Sequence, residues 1–495
     1  MRHILYSLLV IALVSSSCQK KVLDLTPQDL EPSSDAYSTP DKIKAAVLAG
    51  YDGLQSYEFL SGRALVYVDI MGEDVFDRQA FFGDIPRFSM LANNTIAENV
   101  WTAGYAAIAD ANRALAGMAA NSSILSADDY KDYVAECKFV RAVSHFYLVN
   151  FFAQPYVYTA DASHIGVPII TQNYAPNDPA ANQPRSSVAA VYAAILKDLT
   201  EALPDIPVTY GDAYDDKTRG TKASVSAFLS RVYLYMGDYA NAKKYAGDVI
   251  AQTYGTFTLL SDPHAVFDPT NGYTTDETVW SIPNSANDNP NTNNALPMHY
   301  YPTGRADLPL SPAFQDSSNH AGSQNPYFAP NDKRRDMIIP GSALTTTTQY
   351  KFTNKYTDVT NRADWAPIIR YPELLLTYAE AEAHLNGVDA DALNKLNQVR
   401  DRSKDSTTAS YTLADFPTKA SLIAAILGER RIELAFEGHR FWDLMRNKLP
   451  VTNRYDTDGK HRLPDQPYGD PKDIFPIPQI EIDKSKSVLK QNPKY

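Results

Sequence analysis

The densest group of ionisable residues lies near the carboxyl end of the sequence, where carboxylates and arginines recur at spacings of three and four residues. Two carboxylates at a suitable separation can hydrolyse a glycosidic bond as acid and base. Apolar residues such as Leu422, Ile426 and Leu434 place the same helical segment against the core. Arginines in that position favour bidentate contacts that join helices. We therefore predict a structural charge network, made of Glu429, Arg430, Arg431, Glu433, Glu437 and Arg440.

Other catalytic signatures are missing from the sequence. It contains no His-Glu-x-x-His zinc motif, no phosphate-binding glycine loop and no Gly-x-Ser-x-Gly nucleophile elbow. Asp456, Asp458 and Gly459 are spaced as in a calcium loop, but Arg454 at the first ligand position would repel the metal, which favours a polar turn. We predict no catalytic residue, no metal site and no cofactor. A triad or a carboxylate pair assembled from distant segments stays open as an alternative.

Two irregular segments, residues 72–88 and 261–360, carry aromatic rings beside hydrogen-bonding groups. Sugar rings pack on aromatic planes while their hydroxyls bond to carboxylates, amides and guanidinium groups. The alternative is that these rings anchor their own loops or a protein partner. The predicted ligand contacts are Asp74, Asp77, Arg78, Phe81, Phe82, Asn284, Asn294, His299, Tyr300, Tyr301 and Arg305.

The amino terminus has the layout of a signal peptide, with Arg2 and His3 before an apolar run over 4–14. That run is shorter than the roughly 20 residues that a membrane-spanning helix needs. Three serines and then Cys18 follow, as in the processing site of a bacterial lipoprotein. We therefore predict a signal peptide over 1–17 and acylation of Cys18. Ordinary cleavage with a free or paired Cys18 is the alternative, because Ser15 stands where such sites usually have an aliphatic residue.

Charge and cysteine content exclude some classes of function. The formal net charge of −12 comes from 58 acidic and 46 basic residues without a long basic cluster, so we expect no nucleic-acid partner. Cys137 falls in a helical apolar pattern, which predicts a small buried side chain.

Amphipathic periodicity predicts a mostly α fold. A break at Gly237 and Asp238 separates two helices that resemble a tetratricopeptide hairpin, and Asn386 and Gly387 break a second pair in the same way. Residues 277–282 predict one short strand, so the architecture is a helical-pair scaffold with long irregular loop insertions and minor β structure. The predicted helices begin near Pro40 and continue over 100–118, 130–152, 188–203, 223–251, 374–385, 392–400, 422–436 and 441–446.

Seven ordered blocks of the chain resemble one known family. They include Trp101, Tyr105 and Asn112, the run Glu429-Arg430-Arg431, and Phe475-Pro476-Ile477-Pro478. The full set lies within 24–27, 101–112, 136–148, 231–235, 369–381, 429–444 and 475–493, and it resembles the SusD/RagB family of outer-membrane nutrient-binding lipoproteins.

The resemblance implies a cell-surface protein that binds a glycan without catalysis and delivers it to a TonB-dependent, SusC-like transporter. It further implies an outer-membrane location facing the cell exterior, with the lipid on Cys18 as anchor. One compact unit is expected, with an N-terminal helical region over 18–225, a helix pair over 226–260 and a C-terminal region over 261–495. A peptide-binding receptor and a glycoside hydrolase on a helical scaffold are the alternatives.

Overall fold

The structure is a computed structural model that describes residues 35–175, 178–315, 327–342 and 349–495. Cys18, the predicted signal peptide and the block at 24–27 lie outside these ranges. Within them helices dominate and the strands form two small antiparallel sheets, so the predicted mostly α fold is confirmed.

The helices and strands are numbered here in chain order. The amino-terminal half contains α1 (Pro40–Gln55), α2 (Arg63–Met71), α3 (Thr95–Ala120), α4 (Ala127–Phe152), α5 (Val188–Ala202), α6 (Ala213–Thr218), α7 (Lys222–Met236) and α8 (Tyr239–Ile250). The rest contains β1 (Thr278–Ile282), α9 (Leu296–Tyr300), α10 (Pro312–Gln315), β2 (Ile338–Gly341), β3 (Tyr350–Thr353), β4 (Ala366–Arg370), α11 (Tyr371–Asn386), α12 (Ala390–Ser403), α13 (Lys419–Glu433), α14 (Arg440–Arg446) and α15 (Gln479–Lys484).

Both predicted helix pairs are present. Gly237 closes α7 in the left-handed region at φ 74°, and the Asp238 carboxylate then accepts from the Asn241 backbone N–H at the start of α8. α11 ends at Gly387, and Asp389 caps α12. The helix predicted over 422–436 is displaced by three residues, however, since α13 spans Lys419–Glu433. α13 ends at Glu433, because Phe436 and Gly438 both have positive φ and turn the chain into α14.

The helices stack in two connected groups. α1 packs on α3, α3 on α4 and α4 on α5, while α8 packs on α7 and α11, and α11 also contacts α12 and α13. β1 pairs with β4 directly before α11. Trp101, Trp442 and Cys137 are buried, and burial raises the pKa of the Cys137 thiol. Periodicity missed α2, since all but its first residue are buried and no polar face marks it.

The predicted charge network is confirmed as a structural one. Arg370, at the end of β4, donates to both carboxylate oxygens of Glu437 and to Glu277 and Glu433. Arg334 bridges Glu429 and Glu433 from the facing loop. These carboxylates are buried and paired with arginine side chains, so the pairs join separate elements of the fold.

Gly53 on α1 permits a close approach to α3. A Cβ atom there would lie 2.8 Å from the Cα and 2.9 Å from the Cβ of Ala107. We expect Gly53→Ala to lower the free energy of unfolding by about 1–3 kcal/mol, because backbone cannot move aside. Gly247→Ala in α8 is the matched control, since its nearest atom is Tyr378 Cε2 at 3.4 Å. It should raise stability by about 0.5–1 kcal/mol. If thermal melts showed that both variants change stability in the same direction, this prediction would be wrong.

None of the helices in the described ranges is long and apolar enough to cross a membrane.

Candidate functional site

The two irregular segments that the sequence analysis singled out meet in space. Val75 forms an antiparallel bridge with Leu310. The Arg78 backbone N–H donates to the Asp307 carbonyl at 2.9 Å, and the Gln79 side-chain amide donates to the Arg305 carbonyl at 2.9 Å. We call this region, where 75–82 lies along 299–310, the loop junction.

The first segment is also held to the helical scaffold. Arg431 on α13 donates to Asp74 Oδ1 at 2.7 Å, and Arg440 on α14 donates to Glu73 Oε2 at 2.7 Å. Burial raises the pKa of Glu73, but Arg440 and Arg431 outweigh burial and hold the pKa at about 2. The Glu73 contact therefore stays ionised at neutral pH, whereas burial raises the pKa of Asp74 although Arg431 opposes the shift.

Phe81 is the aromatic ring at the centre of the loop junction. The Arg305 guanidinium carbon lies 4.1 Å from the ring centroid, and that of Arg63 lies 5.7 Å from it. Phe82 packs edge-on against Phe81 at 5.0 Å between centroids and contacts His299 at 5.1 Å. Cation–π contacts of this kind fix a ring that is still partly exposed.

Several predicted contact residues are buried and bonded within the protein. The Asp77 carboxylate accepts from the backbone N–H groups of Phe81 and Phe82, and burial raises its pKa. Tyr300 donates to Asp69 Oδ2 at 2.6 Å, and His299 Nδ1 lies 2.8 Å from Asp307 Oδ2. The buried set is Asp74, Asp77, Phe82, Asn284, Asn294, His299 and Tyr300.

This burial agrees with the alternative that such residues anchor their own loops, and the ligand contacts at these positions stay predictions. A side chain with internal partners and almost no exposed surface mainly supports its loop, although Asn284 also lines the cleft described below. The predicted residues with exposed surface are Arg78, Phe81, Tyr301 and Arg305. Arg305 also donates to Asn293 Oδ1 at 3.0 Å, so its position is set by both a ring and an amide.

An open cleft of about 400 Å³ lies beside the loop junction, between the end of α1, the middle of α3 and residues 284–290. We call it the polar cleft. Gln55 donates to the Pro283 carbonyl at 2.8 Å and to Asp288 Oδ2 at 3.0 Å, and Ser61 donates to Asn284 Oδ1 at 2.6 Å. Its lining comprises Asp52, Gly53, Gln55, Ser56, Tyr57, Ser61, Ala103, Ala106, Asp110, Asn284, Asp288, Asn289 and Pro290.

Tyr57 is the exposed aromatic of the polar cleft, with 45% of its surface accessible. The acidic groups of the lining are Asp52, Asp110 and Asp288, and burial raises the pKa of Asp110 although Arg113 opposes the shift. An aromatic face beside amides and carboxylates can hold a neutral polar ligand through ring packing and hydrogen bonds.

Sequence reasoning missed Tyr57 and the contribution of α3. Tyr57 follows a predicted helix without belonging to its apolar period, and an aromatic residue outside a period is a weak signal by itself. The asparagine-rich run over 284–294 is a stronger signal of a polar site, and part of it forms the wall of the polar cleft that faces α1 and α3.

The described ranges contain no group of three or more His, Cys, Asp or Glu side chains that could hold a metal ion. The segment predicted to be a polar turn does turn back on itself, with the Asp456 N–H donating to the His461 carbonyl at 2.8 Å. Asp456 pairs with Arg87 at 2.5 Å. The Asp456 carboxylate is thus used in a contact with a distant segment of the chain.

Two family models match separate parts of the chain. Residues 289–495 match the one described as "SusD family", and residues 53–234 match the one described as "Starch-binding associating with outer membrane". SusD-like protein P2 of Formosa agariphila is 25% identical, and the alignment covers 94% of each chain.

Solved structures agree with the family match. A SusD superfamily protein from Bacteroides fragilis, 25% identical, has a TM-score of 0.78 over 91% of this chain and 99% of that one. A laminarin-binding SusD-like protein, 22% identical, has a TM-score of 0.70 over 92% of this chain and 100% of that one. With models, relatives and fold in agreement, the chain belongs to the SusD/RagB family, whose members associate with the outer membrane.

Proposed function

We propose that the protein binds a neutral oligosaccharide in the polar cleft and at the loop junction, without transforming it. The observation that carries the proposal is the exposed Tyr57 ring at a cleft whose other polar walls are amides and carboxylates. A sugar ring can pack on Tyr57 while Gln55, Asn289 and Asp288 bond to its hydroxyls. The net charge of −12 disfavours an anionic polymer.

The cellular role follows from the family. We infer that the lipid on Cys18 anchors the protein to the outer membrane, facing the cell exterior, and that a SusC-like TonB-dependent transporter receives the bound glycan. Support comes from the family description of outer-membrane association and from the laminarin-binding relative. Laminarin and starch are therefore the first polymers to test.

Tyr57→Ala should weaken binding of the glycan by about five- to thirtyfold, because stacking of a ring on a sugar is worth on the order of 1–2 kcal/mol. Titration calorimetry of the mature protein with laminarin and starch measures this. Tyr158→Ala is the matched control, since Tyr158 is 41% exposed and does not line the polar cleft. Equal affinities for the Tyr57→Ala variant and the unmodified protein would contradict a site in the polar cleft.

The alternatives give different results in the same samples. A glycoside hydrolase would release reducing ends, and loss of that release in Asp110→Asn would overturn the binding proposal, since Asp110 lines the polar cleft. A peptide receptor would bind a mixed peptide library but neither polymer. Co-purification of a transporter with the full chain, lost on Cys18→Ala, would support anchored delivery.

A further inference from the structure

A second large cavity lies next to the polar cleft along the exposed surface of α3. It has a volume of about 390 Å³ and lies between α3, residues 168–170 and 181–183, and the segment from α15 to Leu489. We call it the aromatic cleft. Its lining comprises Trp101, Thr102, Tyr105, Ala106, Pro168, Ile170, Ala181, Asn182, Gln183, Glu481, Lys484, Ser485 and Leu489.

The wall of the aromatic cleft is mostly apolar, and its Tyr105 is held by internal contacts. The Trp101 and Tyr105 ring centroids are 4.8 Å apart, and the Tyr105 hydroxyl donates to the Pro168 carbonyl at 2.9 Å. Tyr105 is half-buried, so part of its surface is available. Because the hydroxyl is already bonded, the apolar part of Tyr105 is what an occupant can meet.

The rim of the aromatic cleft is polar and nearly neutral. Gln183 donates to the Ala180 carbonyl at 2.6 Å, which fixes its amide, and Glu481 pairs with Lys484 at 2.9 Å. The aromatic cleft thus shares an aromatic ring and amide groups with the polar cleft, although it is more apolar and less acidic. The same kind of ligand can therefore occupy both.

The two clefts adjoin at Ala106, which lines each of them. Thr102 lines the aromatic cleft, whereas Ala103 and Asp110 line the polar cleft, so α3 forms the ridge between them. Ala106 is exposed, and its side chain is a single methyl group. A flexible chain can thus cross the ridge without meeting a large side chain.

We propose that the ligand is an extended chain of sugars that occupies both clefts at once and crosses α3 at Ala106. This inference rests on the proposed function and adds the ligand's length to it. Two clefts joined by one ligand act as linked sites, so the second contact costs little additional entropy. Affinity then rises with chain length until the ligand spans both clefts, and a mono- or disaccharide binds weakly.

The test measures how affinity depends on oligosaccharide length in the full mature protein in detergent. The unmodified protein is compared with two cleft variants and one control variant. Laminari- or malto-oligosaccharides, matching the polymer that binds, are titrated calorimetrically from disaccharide to heptasaccharide. Thr102→Trp places a bulky ring at the aromatic cleft without changing a residue of the polar cleft. Ala119 is exposed near the end of α3, so Ala119→Trp is the control for adding a ring elsewhere on this helix. Gln183→Ala removes an amide from the aromatic cleft and is a milder second change.

We expect the unmodified protein to bind the longest oligosaccharides about a hundredfold more tightly than the shortest. Thr102→Trp should remove most of that gain, with short-chain affinity unchanged, and Gln183→Ala should reduce it. Ala119→Trp should preserve it.

Three outcomes would overturn the inference. The first is an affinity that does not depend on oligosaccharide length, and the second is a length-dependent gain in affinity that survives Thr102→Trp. The third is an equal loss of affinity at every length in Thr102→Trp. Each would exclude a second subsite while leaving glycan binding intact. Failure of every oligosaccharide and both polymers to bind would instead defeat the proposed function, and the inference with it.

Discussion

Arg370→Met should lower the free energy of unfolding by about 3–5 kcal/mol, because it leaves buried carboxylates without their partner. The Arg370 side chain is 1% exposed and donates to Glu437 twice at 2.7 Å, to Glu277 at 2.6 Å and to Glu433 at 3.0 Å. Methionine fills much of the same space but cannot donate. Chemical denaturation followed by circular dichroism measures the loss.

The control for Arg370→Met is an exposed arginine in a simple pair. Arg462 lies 3.3 Å from Asp465, with side chains 49% and 59% exposed. Arg462→Met should change stability by less than about 1 kcal/mol, since water replaces the lost partner. If the two variants have equal denaturation midpoints, the buried network does not stabilise the fold.

Glu73→Gln should cost about 3 kcal/mol at pH 7, and the cost should shrink as the pH falls. The pKa of Glu73 is about 2 in the folded protein against an ordinary value of 4.5, because Arg440 and Arg431 outweigh burial. A lowered carboxyl pKa contributes stability that is complete above the unfolded value. That contribution is lost as the pH falls from about 4.5 towards 2.

The predicted pH dependence is tested by measuring denaturation midpoints at pH 7, 5, 4 and 3 for the unmodified protein and for Glu73→Gln. The two curves should converge towards acid pH. Glu201→Gln is the control, because Glu201 pairs with Lys138 at the surface, and it should alter stability little at any pH. A constant difference between Glu73→Gln and the unmodified protein across the range would show that Glu73 acts by packing rather than by charge.

Periodicity in the sequence was sufficient for most of the scaffold. The helix pair broken at Gly237, the pair broken at Gly387 and the buried positions of Trp101 and Trp442 all follow from local rules, since helical spacing places apolar residues on one face. The same rules could not find α2, whose nearly complete burial removes the polar face that defines a period.

The candidate site was only partly predictable. The sequence marked 72–88 and 261–360 as irregular segments with aromatic residues, and the loop junction joins parts of both. It could not separate Phe81, which is partly exposed, from Phe82, which is buried, because neighbouring residues in a loop have no periodic relation to the surface. Nor could it find Tyr57 as the exposed aromatic of the polar cleft.

By itself, then, the sequence determined the helical scaffold, the family and the structural nature of the charged cluster, because these depend on local spacing and on ordered motifs. The tertiary structure alone decided which loop side chains face outwards and that α3 separates two clefts at Ala106. Exposure in irregular backbone depends on contacts between distant segments, such as Arg305 over Phe81 and Gln55 on Asp288. Such contacts carry no signature in the spacing of residues along the chain.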